Sequence, residues 1–304
     1  MELRHLRYFV AVAEEKSFTR AAERLHIAQP PLSRQIQQLE EELGVVLIEK
    51  GVRPLRLTEA GAFFLAHAKP LLDQVHDLRT MTQRVGKVER TLSIGFVAST
   101  LYGLLPDMIR RFRERHPEVE VLLHEMTTVE QLRALKEGRI DVGFGRLKSE
   151  DPSIRRILLR EERMVVALYP GHRLAGGEGG LRLRELIHEP LLVYPKAPRP
   201  SFADQVLAAF SEANLAPDHV QEVRELQIAM GLVAAGQGIA IVPESVQGMH
   251  HRHIVYRELL DKHAFSPILF SVRHMDRSPE LENMLAAVYS VYDDLGIPRA
   301  KESL

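Results

Sequence analysis

Two short runs of hydroxyl residues stand where an apolar, strand-like segment gives way to a helical pattern. Residues 92–97 lead into Ala98-Ser99-Thr100, and residues 119–124 lead to Thr127-Thr128. A helix start offers free backbone amides and the positive end of the peptide dipoles, so hydroxyls there suit an anion, a carboxylate above all. Either run alone fits a plain helix cap equally well. Two of them facing one cleft make a binding site. Arg146, just after Phe144-Gly145, and Pro200-Ser201-Phe202, just after Arg199, are expected to complete its walls. The candidate ligand set is therefore Ser99, Thr100, Thr128, Arg146, Pro200, Ser201 and Phe202.

A second constellation lies near the start. The segment from Gln29-Pro30-Pro31 to Leu39 holds one cation, Arg34, and no anion. Leu32, Ile36 and Leu39 share one helical face, and Ser33, Arg34, Gln35, Gln37 and Gln38 the other. Glutamine can pair with adenine in the major groove, and arginine with guanine or a phosphate. Taken by itself, that face also fits an ordinary surface helix of a small bundle. The residues beyond it favour DNA. A short apolar stretch at 44–49, the basic turn Lys50-Gly51-Val52-Arg53-Pro54 and an alternating strand at 55–58 form a wing hairpin. Its tip carries Lys50 and Arg53 to the DNA backbone or minor groove.

Other chemistries fall away. The chain has no cysteine, which removes disulfides, thiolate metal sites and cysteine nucleophiles together. In Met249-His250-His251-Arg252-His253 adjacent imidazoles point different ways and no carboxylate is near in sequence, so a solvated loop is expected and no metal. Ser99 lacks the G-x-S-x-G elbow of a nucleophile, so no enzyme and no cofactor are expected. The glycines at 138, 143, 236 and 238 read as turn formers, because a phosphate-binding loop needs a following Lys-Ser/Thr or a strand-to-helix context.

The elements that hold these groups can be read from periodicity. Leu3, Leu6, Phe9, Val10 and Ala13 predict a helix at 3–15. Ser17 and Thr19 are candidate caps of a second helix that buries Ala21, Ala22 and Leu25. Pro30 and Pro31 open the third helix, where amide donors are free anyway. Thr58 caps a long helix to about residue 84, striped by Phe64, Leu65, Ala68, Leu71, Leu72, Val75, Leu78 and Met81. A second copy would cover that stripe, and packing on the first domain is the alternative. Pro70 is expected to kink the helix. After a polar break at 86–90, strands at 92–97, 119–124, 142–144, 164–169, 239–242 and 265–272 alternate with helices at 101–115, 129–137, 202–213, 227–235 and 279–295. Such alternation predicts two α/β lobes with largely parallel sheets and a cleft at the strands' carboxyl ends. The fold class is α+β overall, with a winged helix-turn-helix at 1–58, a linker helix at 59–89 and a two-lobed α/β domain at 90–304. Lobe I takes about 90–161 and 267–304, and lobe II about 162–266.

The run SFTRAAERLHIAQPPLSRQIQQLEEELGVVLIEK from Ser17, with RPLRLTEAG from Arg53, resembles the signature of LysR-type transcriptional regulators, and the resemblance extends over the whole chain. It implies that double-stranded promoter DNA is read through Gln29, Pro30, Pro31, Ser33, Arg34 and Arg53. It also implies antiparallel pairing of linker helices in a homodimer or homotetramer, with RNA polymerase as a further partner. LKEGRIDVG at 135–143 and AAGQGIAIVP at 234–243 resemble periplasmic solute-binding proteins. GFVAS at 95–99, LKEGRIDVGFGRLK at 135–148, LLREER at 158–163 and VRELQIAMGLVAAGQGI at 223–239 resemble the muconate- and benzoate-responsive regulators of the catechol branch. That likeness implies an activator of aromatic-compound degradation genes. It implies a dicarboxylate such as cis,cis-muconate between the lobes, against Ser99, Thr128 and residues 200–202. Thr100 stands where an apolar residue is usual. Residues 199–204 also resemble the chlorocatechol regulators, which leaves a chlorinated muconate open. In some such regulators the counterparts of Arg160, Glu162 and Tyr292 form a second pocket for benzoate. A surface ion pair and a packed helix face would account for the three equally.

Composition sets the outer bounds. A net charge of −1 over 304 residues gives no global basic field, so any DNA contact must come from a local patch. The hydrophobic share of 45% and charged share of 27% are those of a soluble globular protein. The charged start Met1-Glu2-Leu3-Arg4-His5 is unlike a secretory signal, and no apolar run approaches the roughly 20 residues that span a bilayer. A cytoplasmic protein without a membrane partner is expected. A solute-binding protein or enzyme using the lobes alone would leave the first sixty residues or so unexplained.

Overall fold

The computed structural model describes residues 1–49, 51, 54–85, 90–148, 150–298, 302 and 304. They form two compact units, Met1–Gln83 and Arg84–Leu304.

The first unit holds α1 (Leu3–Glu15), α2 (Phe18–Arg24), α3 (Gln29–Leu43) and all but the last two residues of α4 (Glu59–Val85). Ser17 caps α2, its Oγ accepting from the Arg20 amide at 3.4 Å, and Thr19 lies inside the helix. Prolines occupy the first turn of α3, and Gly44 ends it at φ 69°, in the left-handed region that glycine enters without steric cost. Phe9, Val12, Ala21, Ala22, Leu32, Ile36 and Leu39 make the core. Glu40 of α3 accepts from the amides of Leu47 at 2.7 Å and Ile48 at 3.0 Å, which fastens the chain entering the hairpin. Ile48 then bridges Leu57 antiparallel. Thr58 Oγ accepts from the Gly61 amide at 3.0 Å and starts α4. The apolar stripe of α4 is not uniform. Phe64 and Leu65 pack on the core, with the Phe9 and Phe64 rings edge to face at 5.1 Å, and Ala68 is buried. Phe63, Leu71 and Leu78 are exposed. Packing on the first domain thus accounts for the opening turns of α4. The helix continues through Pro70.

The second unit runs β1 (Arg90–Phe96), α5 (Ala98–Leu101), α6 (Leu105–Arg115), β2 (Val119–Glu125), α7 (Thr128–Lys136), β3 (Val142–Gly145), β4 (Ile154–Leu168), β5 (Leu191–Val193), α8 (Phe202–Glu212), β6 (Val220–Glu222), α9 (Leu226–Ala234), β7 (Ile239–Pro243), β8 (Val255–Glu258), β9 (Phe265–Arg273) and α10 (Pro279–Asp294). One lobe has strand order β2-β1-β3-β9-β4, and the other continues β4-β7-β5-β6 with β8 also on β4. β4 pairs with β9 from Ile154 to Arg163 and with β7 from Met164 to Ala167, so it passes from lobe to lobe. Each lobe has its own core, one around Phe112, Phe144 and Phe270, the other around Val166, Leu192, Phe210 and Ile241.

Three expectations change. The sheets are mixed rather than largely parallel. β1/β2, β1/β3, β5/β6 and β5/β7 are parallel, but every pairing of β4 or β9 is antiparallel, because these two strands carry the chain across and back. The helix expected at 101–115 is two: α5 ends at Leu101, and α6 restarts at Leu105 with proline in its first turn. β4 begins at Ile154, well before the strand expected at 164. Among the described residues no helix is long and apolar enough to cross a membrane, and no cluster of His, Asp or Glu could hold a metal ion.

Candidate ligand cleft and nucleic-acid face

Ser99, Thr128, Arg146, Pro200, Ser201 and Phe202 line one cavity of about 510 Å³ between the lobes. That volume suits a small organic ligand. Thr128, Phe202 and Leu226, also lining it, are the first residues of α7, α8 and α9. Three helix N-termini therefore converge on one space, each with unpaired amides and a positive dipole end. The two arginines in the wall both have carboxylate partners, Arg146 with buried Glu162 and exposed Arg224 with Glu225 at 3.3 Å. An anion here would meet dipoles and hydroxyls without an uncompensated cation.

The hydroxyls are ready to donate. Ser99 Oγ accepts from Arg146 Nε at 2.8 Å, and Thr128 Oγ1 accepts from the Arg146 amide at 3.1 Å. An oxygen whose lone pair is taken in this way keeps its own proton for a ligand. Arg146 is 2% exposed and Glu162 6%, so their ion pair is shielded from water. Glu162 is a hub at the lobe crossing. It accepts from Arg146 Nη2, from Arg160 Nη2 at 3.2 Å and from the Ser245 amide at 3.0 Å.

Thr100 does not belong to this cavity, which corrects the expected set. Its hydroxyl donates to the Val97 carbonyl at 2.7 Å, and its side chain faces a different space. Consecutive helical residues point about 100° apart, and in α5 that rotation carries Thr100 from the side of Ser99 to this second space. The space that Thr100 reaches is also lined by Arg160, Ser245 and Tyr292. Arg160 lies over the Tyr292 ring at 5.9 Å, and burial pushes the Tyr292 phenol up to about 12. The structure thus brings Arg160, Glu162 and Tyr292 together. The room left among them is about 10 Å³, the size of one water, so an aromatic acid would have to part the side chains.

Three neighbours escaped the sequence reading. Ser245 donates to the Ser99 carbonyl at 3.0 Å and ties the lobes at the hub. Gln205 Nε2 donates to the Arg146 carbonyl, while its Oε1 accepts from Ser266 Oγ at 2.8 Å. Tyr194 lines the cleft just past β5. Ser245 and Tyr194 obey the same rule that singled out Ser99 and Thr128, a polar group just beyond a strand's carboxyl end.

In the first unit, Gln29, Pro30, Pro31 and Arg34 are exposed and Ser33 is half-buried on α3, while Leu32, Ile36 and Leu39 face the core. Gln35 and Gln38 bond side chain to side chain at 3.1 Å. Lys50 and Arg53 of the expected wing tip lie outside the described residues.

Residues 3–62 match the family described as bacterial regulatory helix-turn-helix protein, lysR family, and residues 86–292 match the LysR substrate binding domain. The HTH-type transcriptional regulator BenM of Acinetobacter baylyi is 50% identical over 293 residues, 96% of this chain and 96% of that protein. The structure of the BenM effector binding domain with its effector benzoate is similar at 44% identity and a TM-score of 0.67, covering 72% of this chain and 99% of that one. Full-length CbnR complexed with its target DNA is similar at 32% identity and a TM-score of 0.61, covering 95% and 99%. Both units thus match, and in the order the sequence suggests: the chain belongs to the LysR family of DNA-binding transcription regulators.

Proposed function

We propose that this regulator activates genes of aromatic-compound degradation and that a small dicarboxylate, cis,cis-muconate, binds its cleft and alters its complex with promoter DNA. One observation carries the effector class: three helix N-termini and the hydroxyls of Ser99 and Thr128 converge on a cavity of about 510 Å³ whose arginines are already paired. Such a site replaces a carboxylate's water hydrogen bonds without a full counter-charge, so it can also release the ligand. One carboxylate sits at Ser99 and the other at Thr128, with Pro200, Ser201 and Phe202 as the facing wall. That BenM, a relative at 50% identity, has benzoate as an effector supports a carboxylate ligand. Benzoate would enter the Arg160, Glu162 and Tyr292 space only after it opens.

DNA is read from α3 by Gln29, Pro30, Pro31, Ser33 and Arg34, with Arg53 on the wing. The exposed Phe63, Leu71 and Leu78 of α4 support a seam between two copies. A tetramer and an RNA polymerase contact rest on the family resemblance.

Titration calorimetry of the full chain with cis,cis-muconate tests the reading. Thr128→Val removes the hydroxyl and should weaken binding by about 1–3 kcal/mol, the worth of a hydrogen bond to a charged acceptor. Thr128→Ser keeps the hydroxyl and should retain most of the affinity. Binding unchanged by Thr128→Val and by Ser99→Ala would sink the placement. No heat with muconate, chloromuconate or benzoate would sink the effector class.

A further inference from the structure

Two donors in the cleft wall have no acceptor in the protein. Arg146 Nη1 and Tyr194 Oη are both out of solvent reach, and neither has a hydrogen-bond partner among the described residues. Their residues are more than nine-tenths buried, at 2% and 6% exposure, and both line the cavity. Native proteins rarely leave buried donors unpaired, and an exception calls for an explanation. The rest of the Arg146 fork is committed: Nε to Ser99, and Nη2 to Glu162 and to Ser245 at 3.2 Å. Nη1 is the one corner left. Tyr194 stands immediately past β5, its ring against Phe202 at 5.5 Å between centroids, beside the N-terminus of α8. Burial pushes the pKa of its phenol up, and the charges of Arg146 and Glu162 act on it in opposite senses, so Oη–H is a neutral donor throughout the working range. Two donors with no acceptor of their own, on residues that line one cavity, suit an anionic oxygen there.

We infer that Tyr194 Oη and Arg146 Nη1 together receive one carboxylate of the effector, the one at the Ser99 end, and that Tyr194 lets the cleft distinguish a dicarboxylate from a monocarboxylate of the same length. The inference rests on the reading of the cleft as a dicarboxylate site. A monocarboxylate can occupy the Thr128 end, but it leaves the buried pair unanswered. Sites built to bond a polar group reject analogues that lack it for this reason.

The test compares cis,cis-muconate with hexa-2,4-dienoate, the same diene with one carboxylate fewer, by calorimetry on the full chain. Wild type should prefer muconate by about 100-fold. Tyr194→Phe keeps the ring and should weaken muconate roughly ten-fold while leaving the dienoate unchanged. Its unfolding temperature should not fall, because the lost hydroxyl had no partner in the protein. Unchanged muconate affinity in Tyr194→Phe, or an equal loss for both ligands, would overturn the assignment and leave the cleft reading standing. A wild type that binds neither ligand would overturn both.

Discussion

Glu162→Leu should destabilise the C-terminal unit by about 3–5 kcal/mol, the cost of breaking a buried ion pair from one side. The carboxylate is the only counter-charge of Arg146 among the described residues, and Arg146 is one of the largest fully buried side chains. Its removal also strands Arg160 Nη2 and the Ser245 amide. At roughly 2–4 °C per kcal/mol for a unit of this size, the melting temperature should fall by about 10 °C. Arg146→Met combined with Glu162→Leu removes the charge of Arg146 as well and should recover the part of that loss due to the Arg146 pair, while Arg160 and the Ser245 amide stay without their acceptor. Scanning calorimetry of the wild type, the single and the double variant decides it. A single variant that melts within about a degree of wild type would mean that Arg146 is not held as described.

Gly61→Ala should cost the N-terminal unit roughly 3 kcal/mol, at the upper end for overpacking by one methyl. A Cβ on Gly61 would stand 2.0 Å from the Leu47 carbonyl oxygen. That carbonyl cannot retreat freely, because it accepts from the Thr58 amide at 3.0 Å while Glu40 holds the Leu47 amide. The close approach sets the first turn of α4 against the chain that enters the wing. In denaturant, Gly61→Ala should unfold its own unit early and lose DNA binding. Muconate binding should stay at the wild-type level, because every residue of the cleft is in the other unit. Wild-type stability in this variant would contradict the packing.

These two sites show what a sequence reveals. The helix-turn-helix was legible because its signals are local: Ser17 before α2 and prolines opening α3. The candidate cleft was legible where strand ends meet hydroxyls, at Ser99 and Thr128. β5, β6 and β8 span three or four residues each, too short for a period to show. The first half of β4 is dense in arginine and glutamate, and its register shifts between Leu158 and Arg160, which breaks the alternation that marks a strand. Glu162 read as a member of a second pocket or as the surface partner of Arg160. Its bond to Arg146 joins β4 to the loop after β3, a non-local pairing that spacing does not announce. Thr100 shows the converse, since adjacency in sequence put into one site two residues that α5 turns toward different spaces.

Coupling between one small dicarboxylate in the cleft and the DNA complex is central to the proposed function. Only a ligand that distinguishes two states of the protein can shift them, and the coupling must then appear from either side. The direct measurement is muconate affinity by calorimetry, for the full chain alone and for the chain saturated with a duplex carrying its promoter region, at one fixed salt concentration. The dissociation constants are predicted to differ by about five-fold or more. Equal constants in the two titrations would contradict that coupling.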